Sequence, residues 1–272
     1  MSFPEETIDR ITPTIRPDQR VVMRQNWSDI LFLHWEYSPE EIQRLLPPGL
    51  TADVFVGKAY VGLAPFVMAG VRPAGFPAVP FLSDFLECNV RTYVHFEGRN
   101  PGVWFFSLDA ANLIAVKIAR TLWKLPYYHA KMKIEKAPAK SSLPISSLPN
   151  EAPASTSVPK GSVEIAYSTQ RLSSNNAKGR CETRYRVDSE IQPASPGSLE
   201  FFLAERYLLY AFTNRLLIGQ VNHTPYPLQI AKIESLNENL AATAGLSSPV
   251  GSPLAHYASG VQVEVFPLRQ VN

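Results

Sequence analysis

Alternating side chains predict a β-strand at Ile30–Tyr37, near the start of the chain. Successive residues of a strand point to opposite faces of the sheet. One face carries Leu31, Leu33 and Trp35, and the other carries Phe32, His34 and Glu36. A short helix is expected next, because Ser38 is a good N-cap, Pro39 suits the first helical position and Glu41 completes a capping box. Pro47-Pro48-Gly49 predicts the end of that helix.

Two further segments, Glu87–Phe96 and Val103–Ala110, predict an antiparallel hairpin. On the first strand the odd-numbered face carries Glu87, Asn89, Arg91, Tyr93 and His95. The even-numbered face carries Cys88, Val90, Thr92, Val94 and Phe96. On the second strand the apolar positions are Trp104, Phe106, Leu108 and Ala110. Pairing the apolar side with the even-numbered face predicts that Ser107 and Asp109 lie beside Glu87, Asn89 and Arg91.

The remaining elements follow from periodicity and punctuation. Further strands are predicted at Ala52–Phe55, Ala59–Met68, Val163–Arg171, Arg180–Ile191 and Ala255–Pro267, the last with Val261, Val263 and Val265 alternating against polar residues. A helix capped by Asp109 is predicted from Ala111 to Trp123. A second helix, capped by Ser198, is predicted from Leu199 to about Leu217. Many short strands with few helices predict an α+β fold that is predominantly antiparallel.

Composition excludes several classes of protein. The chain has 272 residues, is 45% apolar and 18% charged, and carries a net charge of +2, which is typical of a globular protein rather than a disordered one. It has no dense block of Lys and Arg, so we expect no nucleic-acid partner. No segment has the length and apolar character of a signal peptide or a membrane span. Cys88 and Cys181 form no Cys-x-x-Cys pair, which indicates a reducing, cytoplasmic location.

One segment differs from the rest of the chain. Residues Lys136–Ser162 hold five prolines and seven serines and no aromatic residue. Such a stretch buries too little apolar surface to offset the entropy of ordering it, so we predict a mobile loop within a single domain. The chain therefore counts as one domain from residue 1 to 272.

The polar face of the predicted hairpin is the first candidate site. Two carboxylates, an arginine, an amide and a hydroxyl converge there if the predicted pairing is right. A solvent-exposed face with weak cross-strand ion pairs, between Arg91 and Asp109 or Glu87, is the simpler interpretation. A loop that covers this face would instead form a pocket, in which Arg91 is suited to bind a carboxylate.

A second candidate lies in Arg120–His129 (RTLWKLPYYH), where a helix end and a proline turn precede two adjacent tyrosines. Tyrosine can donate a hydrogen bond or act as a general acid. The alternative is that Tyr127 and Tyr128 alternate across a strand, one in the core and one outside.

Other polar residues are weaker candidates. His34 is interpreted as a core histidine more readily than as a ligand, and His223 precedes a rigid proline turn. Glu205 and Arg206 are expected inside an amphipathic helix as a solvated or structural pair. No histidine spacing matches a local metal motif, and no phosphate-binding or nucleophile-elbow motif occurs, so we expect no metal and no cofactor.

Five blocks of sequence carry a family resemblance: SPEEIQRLLPPGL, FLECNVRTYVHFEGRNPGVWFFSLDA, IARTLWKLPYYHAKM, FLAERYLLY and HTPYPL. Together they resemble the YqjF-like domain-of-unknown-function family, which is itself similar to the acetoacetate decarboxylase superfamily. The resemblance covers nearly the whole chain outside the Pro/Ser-rich segment. It implies one α+β domain built around a cone-shaped barrel with its site inside, and this places the polar hairpin face in the interior.

The resemblance also implies which groups are present and which are missing. In true decarboxylases the proline turn contains Phe-Pro-Lys-Lys, whose first lysine forms a Schiff base. Tyr127 and Tyr128 occupy those positions here, and tyrosine cannot form an imine. Glu87 matches the family's active-site glutamate and Arg120 its helix arginine. Lys124 and Lys131 lie several residues away from the lysine position and are not credible replacements.

Three functional hypotheses follow. The preferred one is a decarboxylase-like pocket without its nucleophile, which binds a small carboxylate or carbonyl metabolite. Its ligand-binding residues would be Arg91, Asn89, Asp109, Arg120, Tyr128 and His34. The second is a lyase, hydratase or isomerase that uses Glu87 as base and Tyr127 as acid without a covalent intermediate. The third is a structural or interaction module without turnover. We expect no membrane partner, and a homo-oligomer is an open alternative.

Overall fold

The computed structural model describes residues 8–138, 162–172 and 178–271. Within those ranges the strands are β1 Met23–Tyr37, β2 Leu50–Ala52, β3 Ala59–Pro73, β4 Phe85–Phe96, β5 Arg99–Ala110, β6 Tyr127–Pro138, β7 Val163–Arg171, β8 Arg180–Val187, β9 Leu208–Phe212, β10 Leu216–Asn222, β11 Leu228–Glu238, β12 Leu254–Val265 and β13 Arg269–Gln270. The helices are α1 Pro39–Gln43, α2 Leu113–Leu122, α3 Leu199–Ala204 and α4 Leu240–Thr243. The predicted α+β class is confirmed.

The strands form one large sheet in the order β13-β10-β9-β5-β6-β7-β8-β11-β12-β1-β3-β4-β2. An additional pairing between β4 and β5 closes nine of them into a barrel-like ring. A second path from β5 to β12 runs through β9 and β10, because β10 also pairs with β12. The pairs are antiparallel except for β5–β6 and β5–β9, which are parallel. Strands β12, β1, β3, β4 and β5 are therefore shared by two interiors.

The shared strands are covered on both faces. Leu31 and Leu33 of β1 pack in one core, with residues of β7 and β8. Ile30 and Phe32 of the same strand pack in a second core, with residues of β10 and β12. A strand covered on both faces is nearly continuously apolar, and its few polar residues then face an interior rather than solvent. The solvent-exposed interpretation of the hairpin face is therefore wrong.

The first predicted helix is confirmed. The Oγ atom of Ser38 accepts the N–H of Glu41 at 3.2 Å, and Pro39 occupies the first turn. The Glu41 carboxylate, which was expected to complete the capping box, accepts the N–H of Ser247 at 2.8 Å. This contact ties α1 to the segment that follows α4.

The second predicted helix has a different cap. Asn112 accepts the N–H groups of Ile114 and Ala115 at 2.9 and 3.1 Å. Asp109 does not cap the helix, because it belongs to β5 and is fully buried. Asparagine and aspartate both cap helices well, so the sequence pattern left two positions that compete for the same role.

The third predicted helix is wrong beyond its first turns. Ser198 caps α3, and its Oγ atom accepts the N–H of Phe201 at 3.1 Å. The helix ends at Ala204, and β9 and β10 form an antiparallel hairpin where the helix was expected to continue. The turn between them contains Asn214, a residue suited to turns, whose signal the apolar periodicity of the flanking residues obscured.

Some elements of the structure were absent from the sequence-based prediction. Strands β11 and β13 and helix α4 were not predicted. The first three residues of the Pro/Ser-rich segment, Lys136 to Pro138, extend β6. The rest of that predicted loop, up to Gly161, lies outside the described residues. In the described ranges no helix is both long enough and apolar enough to cross a membrane.

Gly102 provides a test of how β5 and β9 approach each other. A Cβ atom at Gly102 would lie 2.6 Å from the backbone oxygen of Leu208. We expect Gly102→Ala to lower the free energy of unfolding by about 3 kcal/mol, because the backbone there cannot move without separating the two strands. At Gly57 the φ angle is +73° and an added Cβ meets no atom within 4 Å, so Gly57→Ala is expected to cost only about 1 kcal/mol. Urea unfolding measures both, and equal losses would contradict this packing.

Candidate functional site

The register of the β4–β5 hairpin decides which polar groups meet. Glu87 lies opposite Ala110 and Asn89 opposite Leu108, whereas Asp109 lies opposite Cys88. Opposed residues share a face, so Asp109 and Ser107 are on the other side of the sheet from Glu87 and Asn89. The predicted convergence of all five groups is therefore wrong. A register shift between Val90 and Arg91 contributes, since one extra residue on β5 reverses which of its side chains matches each face.

Asp109 instead belongs to a buried ion pair behind the sheet. The Nε atom of Arg171 lies 2.7 Å from Oδ1 of Asp109, and both side chains are almost completely buried. The same guanidinium donates to Ser107 Oγ at 2.7 Å and to Thr243 Oγ1 at 3.0 Å. It also lies 4.2 Å from the centre of the Tyr128 ring. These contacts join β5, β7 and α4, and they lie outside the cavity described next.

A cavity of about 120 Å³ lies on the opposite face, in the second interior. Its walls are mainly apolar and include Ile30, Phe32, Phe66, Phe105, Leu108 and Trp123. Its polar wall residues are Gln25, Glu87, Asn89, Arg91, Tyr127, Arg206, Tyr207 and Tyr226. An engineered protein cavity of about 150 Å³ holds benzene, so this cavity suits a ligand of about six non-hydrogen atoms. Apolar walls with a few convergent polar groups are typical of small-molecule sites.

Glu87 is the acid of this cavity. It is 2% exposed, and the hydroxyl of Tyr127 donates to its Oε2 at 2.9 Å. Burial raises the pKa of Glu87 to about 8, against the opposing effect of hydrogen bonds from Tyr127 and Asn89. Burial also raises the pKa of Tyr127 well above its usual range. At neutral pH both groups are therefore mostly protonated, and the pair carries little charge.

Arg91 is the cation of this cavity, and no carboxylate in the described part of the chain forms an ion pair with it. Its guanidinium lies 5.3 Å from the centre of the Phe32 ring, and Nη2 is 3.4 Å from the backbone oxygen of Leu203. Its Nε atom is buried without a hydrogen-bond partner. Glu87 is four residues away on the same face of the strand, and it forms no ion pair with Arg91 in the described structure. A half-buried guanidinium without a counter-ion is suited to bind an anion.

His34 lies outside the cavity lining and contacts Tyr93. The Tyr93 hydroxyl donates to the backbone oxygen of Leu203 at 2.6 Å and lies 2.6 Å from His34 Nε2. Since that hydroxyl has one proton, His34 Nε2 is the donor to it. Burial lowers the pKa of His34 well below its usual range, and nearby Arg91 acts in the same direction. Gly62 lies between them on β3, where a Cβ would be 3.1 Å from the His34 ring.

The two adjacent tyrosines point in opposite directions. In the parallel pairing of β6 with β5, Tyr127 is in register with Leu108, a cavity residue, and Tyr128 with Asp109. The alternating arrangement is thus the one the structure shows, and Tyr128 packs on Arg171 instead of the cavity. Arg120 is exposed and donates from Nε to the backbone oxygen of Tyr127 at 2.6 Å, so it fixes the tyrosine without entering the site.

Of the predicted site residues, the structure brings Glu87, Asn89, Arg91 and Tyr127 together around the cavity. It places Asp109, Arg120, Tyr128 and His34 outside the lining. The catalytic and ligand-binding roles of the first four stay predictions. Lys124 and Lys131 are both exposed, and no described residue of the cavity lining is a lysine.

Arg206 is a cavity residue that sequence reasoning did not find. It was expected in a helix beside Glu205, but the chain leaves the helix there and both side chains are buried. Arg206 donates from Nη1 to Asp53 Oδ2 at 2.8 Å, and Arg10 binds the other oxygen of Asp53. The sequence offered one signal for a buried arginine, because FLAERYLLY places three polar residues between apolar runs. A charge buried in this way needs a partner.

Glu205 forms a second group behind the cavity wall. Its carboxylate accepts the Tyr207 hydroxyl at 2.7 Å and the N–H of Tyr226 at 2.9 Å, and both tyrosines line the cavity. His223 stacks on the Tyr207 ring with centroids 4.3 Å apart, and burial lowers the pKa of His223 to about 4.

In the described ranges no three His, Cys, Asp or Glu residues cluster as metal ligands would.

Comparison with proteins of known structure identifies the fold. MppR, an enduracididine biosynthesis enzyme solved in complex with pyruvate, superposes with a TM-score of 0.58 at 15% identity, over 94% of this chain and 92% of that one. Acetoacetate decarboxylase from Legionella pneumophila also gives 0.58, at 12% identity, over 94% of this chain and 90% of that one. An acetoacetate decarboxylase-like enzyme from Sphingomonas wittichii RW1 gives 0.56 at 11% identity, over 93% and 94% of the two chains. The fold is therefore of the acetoacetate decarboxylase-like type.

Sequence comparison identifies the family. A family described as an uncharacterized conserved protein, DUF2071, matches residues 24–262. The protein YqjF of Bacillus subtilis (strain 168), described as uncharacterized, is 34% identical over 255 residues, which cover 93% of this chain and 94% of YqjF. Since both matches span nearly the whole length, this chain belongs to the DUF2071 family.

Proposed function

We propose that this protein binds a small monocarboxylate metabolite in the cavity between β1, β4 and β5, without covalent chemistry at a lysine. The observation that carries the proposal is Arg91, a half-buried guanidinium in the cavity wall with no carboxylate partner among the described residues. Binding an anion there would replace lost hydration with charge-assisted hydrogen bonds.

The charge balance of the cavity supports an anion. Glu87 is mostly neutral at pH 7 because burial raises its pKa to about 8. Arg206 pairs with Asp53, whose carboxylate Arg10 also binds, and Arg91 forms no ion pair among the described residues. The lining is therefore net positive, and a carboxylate restores neutrality. MppR, which shares the fold, is described in complex with pyruvate, a carboxylate of the size that this cavity suits.

The location is part of the proposal. Cys88 and Cys181 are both free thiols buried in the same core. Free thiols are usual in a reducing compartment, which supports the cytoplasm. The interaction-module hypothesis accounts for the Asp109–Arg171 pair, whose charges meet each other, but it gives Arg91 no role.

Arg91→Gln tests the carboxylate site. We expect isothermal titration with three-carbon carboxylates to show a loss of affinity of about 10- to 100-fold, because hydrogen bonds to a charged group are removed. Arg99→Gln is the matched control on the same hairpin, since Arg99 is exposed and paired with Glu97 at 3.0 Å. Equal affinities of wild type and Arg91→Gln would remove Arg91 from the site.

A second function, acid–base catalysis without a covalent intermediate, is favoured by the Glu87–Tyr127 pair. A carboxyl group with a pKa of about 8 is mostly protonated at neutral pH. It supports Glu87 as a general acid, the reverse of the base role that the sequence suggested. Tyr127, whose pKa is raised further, would hold the carboxyl group in place through its hydrogen bond.

The protonation state of Glu87 is tested by the pH dependence of stability. In the unfolded chain Glu87 ionises near its ordinary pKa of 4.5, whereas in the folded chain it ionises near 8. Wild type should therefore lose stability as pH rises from about 4.5 to 8, by at most about 5 kcal/mol. Glu87→Gln cannot ionise, so its free energy of unfolding should fall less over that range. Parallel curves for the two proteins, from urea unfolding at several pH values, would show that Glu87 is ionised in the fold.

Trapping chemistry tests the absence of a Schiff base. We expect borohydride reduction in the presence of acetoacetate to leave no specific adduct on any lysine, because no described residue of the cavity lining is a lysine. Mass spectrometry of the digested protein is the measurement, with acetoacetate decarboxylase as the positive control. A specific adduct at Lys124 or Lys131 would overturn the non-covalent proposal.

A further inference from the structure

Three polar atoms of the cavity wall are buried without a hydrogen-bond partner among the described residues. They are Oδ1 of Asn89, Nε of Arg91 and Nη2 of Arg206. Each belongs to a side chain that lines the cavity. Asn89 is 5% exposed, so its amide oxygen is removed from bulk solvent. A buried acceptor that stays unpaired is costly, and a site of this kind favours ligands that supply the missing partner.

The orientation of the Asn89 amide determines which partner is missing. The unpaired atom of the Asn89 amide is its oxygen, which can only accept a hydrogen bond. The amide oxygen is then the free group, and it needs a donor from the ligand. The neighbouring Glu87 carboxyl, when protonated, has one O–H to donate.

Few ligand groups satisfy both residues. A hydroxyl donates one hydrogen bond and accepts another, so it can pair with Asn89 and Glu87 together. A carbonyl oxygen only accepts, and it leaves the Asn89 oxygen unpaired. An ammonium group donates, but it adds positive charge to a cavity that already contains Arg91 and Arg206.

We infer that the ligand of this cavity is a small 2-hydroxy acid, with its carboxylate on Arg91 and its hydroxyl between Asn89 and Glu87. This inference rests on the proposed function, because it takes Arg91 as the carboxylate site. It goes further in assigning Asn89 the selection of a hydroxyl over a carbonyl. The carboxylate and the hydroxyl of the ligand would then lie in the same order as Arg91, Asn89 and Glu87 along one face of β4.

Competition among three-carbon acids tests the inference. Isothermal titration of the full chain at pH 7 with lactate, pyruvate and propionate should give an affinity for lactate at least about tenfold higher than for the other two. Pyruvate has a carbonyl at C2, which cannot donate a hydrogen bond to Asn89. Propionate has no oxygen atom at C2. Pyruvate binding as tightly as lactate, or more tightly, would overturn the hydroxy-acid assignment and leave the carboxylate site standing.

Matched variants separate the role of Asn89 in selecting a hydroxyl from the role of Arg91 in binding the carboxylate. Asn89→Leu should reduce the preference for lactate over pyruvate to about twofold or less while pyruvate affinity is retained. Asn237→Leu, at an exposed position of β11 outside the cavity, should keep the full preference. An undiminished preference in Asn89→Leu would refute the role of Asn89. If wild type bound none of the three acids, or bound them independently of Arg91, the carboxylate site would fail, and the hydroxy-acid assignment with it.

Discussion

The arrangement of the site depends on Glu87 being uncharged while Arg91 keeps its charge on the same face of one strand. If Glu87 were ionised, the cavity would be electrically balanced and an anion would gain little by entering. Burial of Glu87 to 2% exposure, with Tyr127 as its hydrogen-bond donor, favours the neutral acid. Asn89 separates the two groups, so a ligand can bridge them. The proposed binding and any proton transfer both depend on this asymmetry.

The fold creates the asymmetry by giving β4 two interiors. On its even-numbered face Cys88 and Val90 pack in the core on the side of the Asp109–Arg171 pair, where the charges are matched. On its odd-numbered face Glu87, Asn89 and Arg91 line the cavity, where Arg91 is not matched. Tyr127 lies on the cavity face next to Glu87, and Tyr128 lies on the other. One sheet therefore separates a paired arginine, Arg171, from an unpaired one, Arg91.

Much of this could be predicted from the sequence, because local signals agree with the fold in the relevant segments. The hairpin, the Ser38 and Ser198 caps and the odd-numbered cavity face of Glu87, Asn89 and Arg91 follow from alternation and capping. The position of Asp109 does not, because pairing apolar faces assumes that one face is wet, and both faces of this hairpin are buried. The register shift between β4 and β5 beside Arg91 has no sequence signature of its own. Arg206 was missed for a related reason, since apolar periodicity concealed the end of α3 and the turn at Asn214.

The ionisation of Glu87 in the folded protein is the property that the account needs most, and it can be observed directly. In protein labelled with ¹³C at glutamate side-chain carboxyls, the Glu87 resonance is identified by its loss in Glu87→Gln and then followed as pH is changed. We expect a midpoint of about 8 for that resonance. A midpoint near the ordinary glutamate value of 4.5 would contradict it, because Glu87 would then be a carboxylate at neutral pH and the cavity would have no excess positive charge.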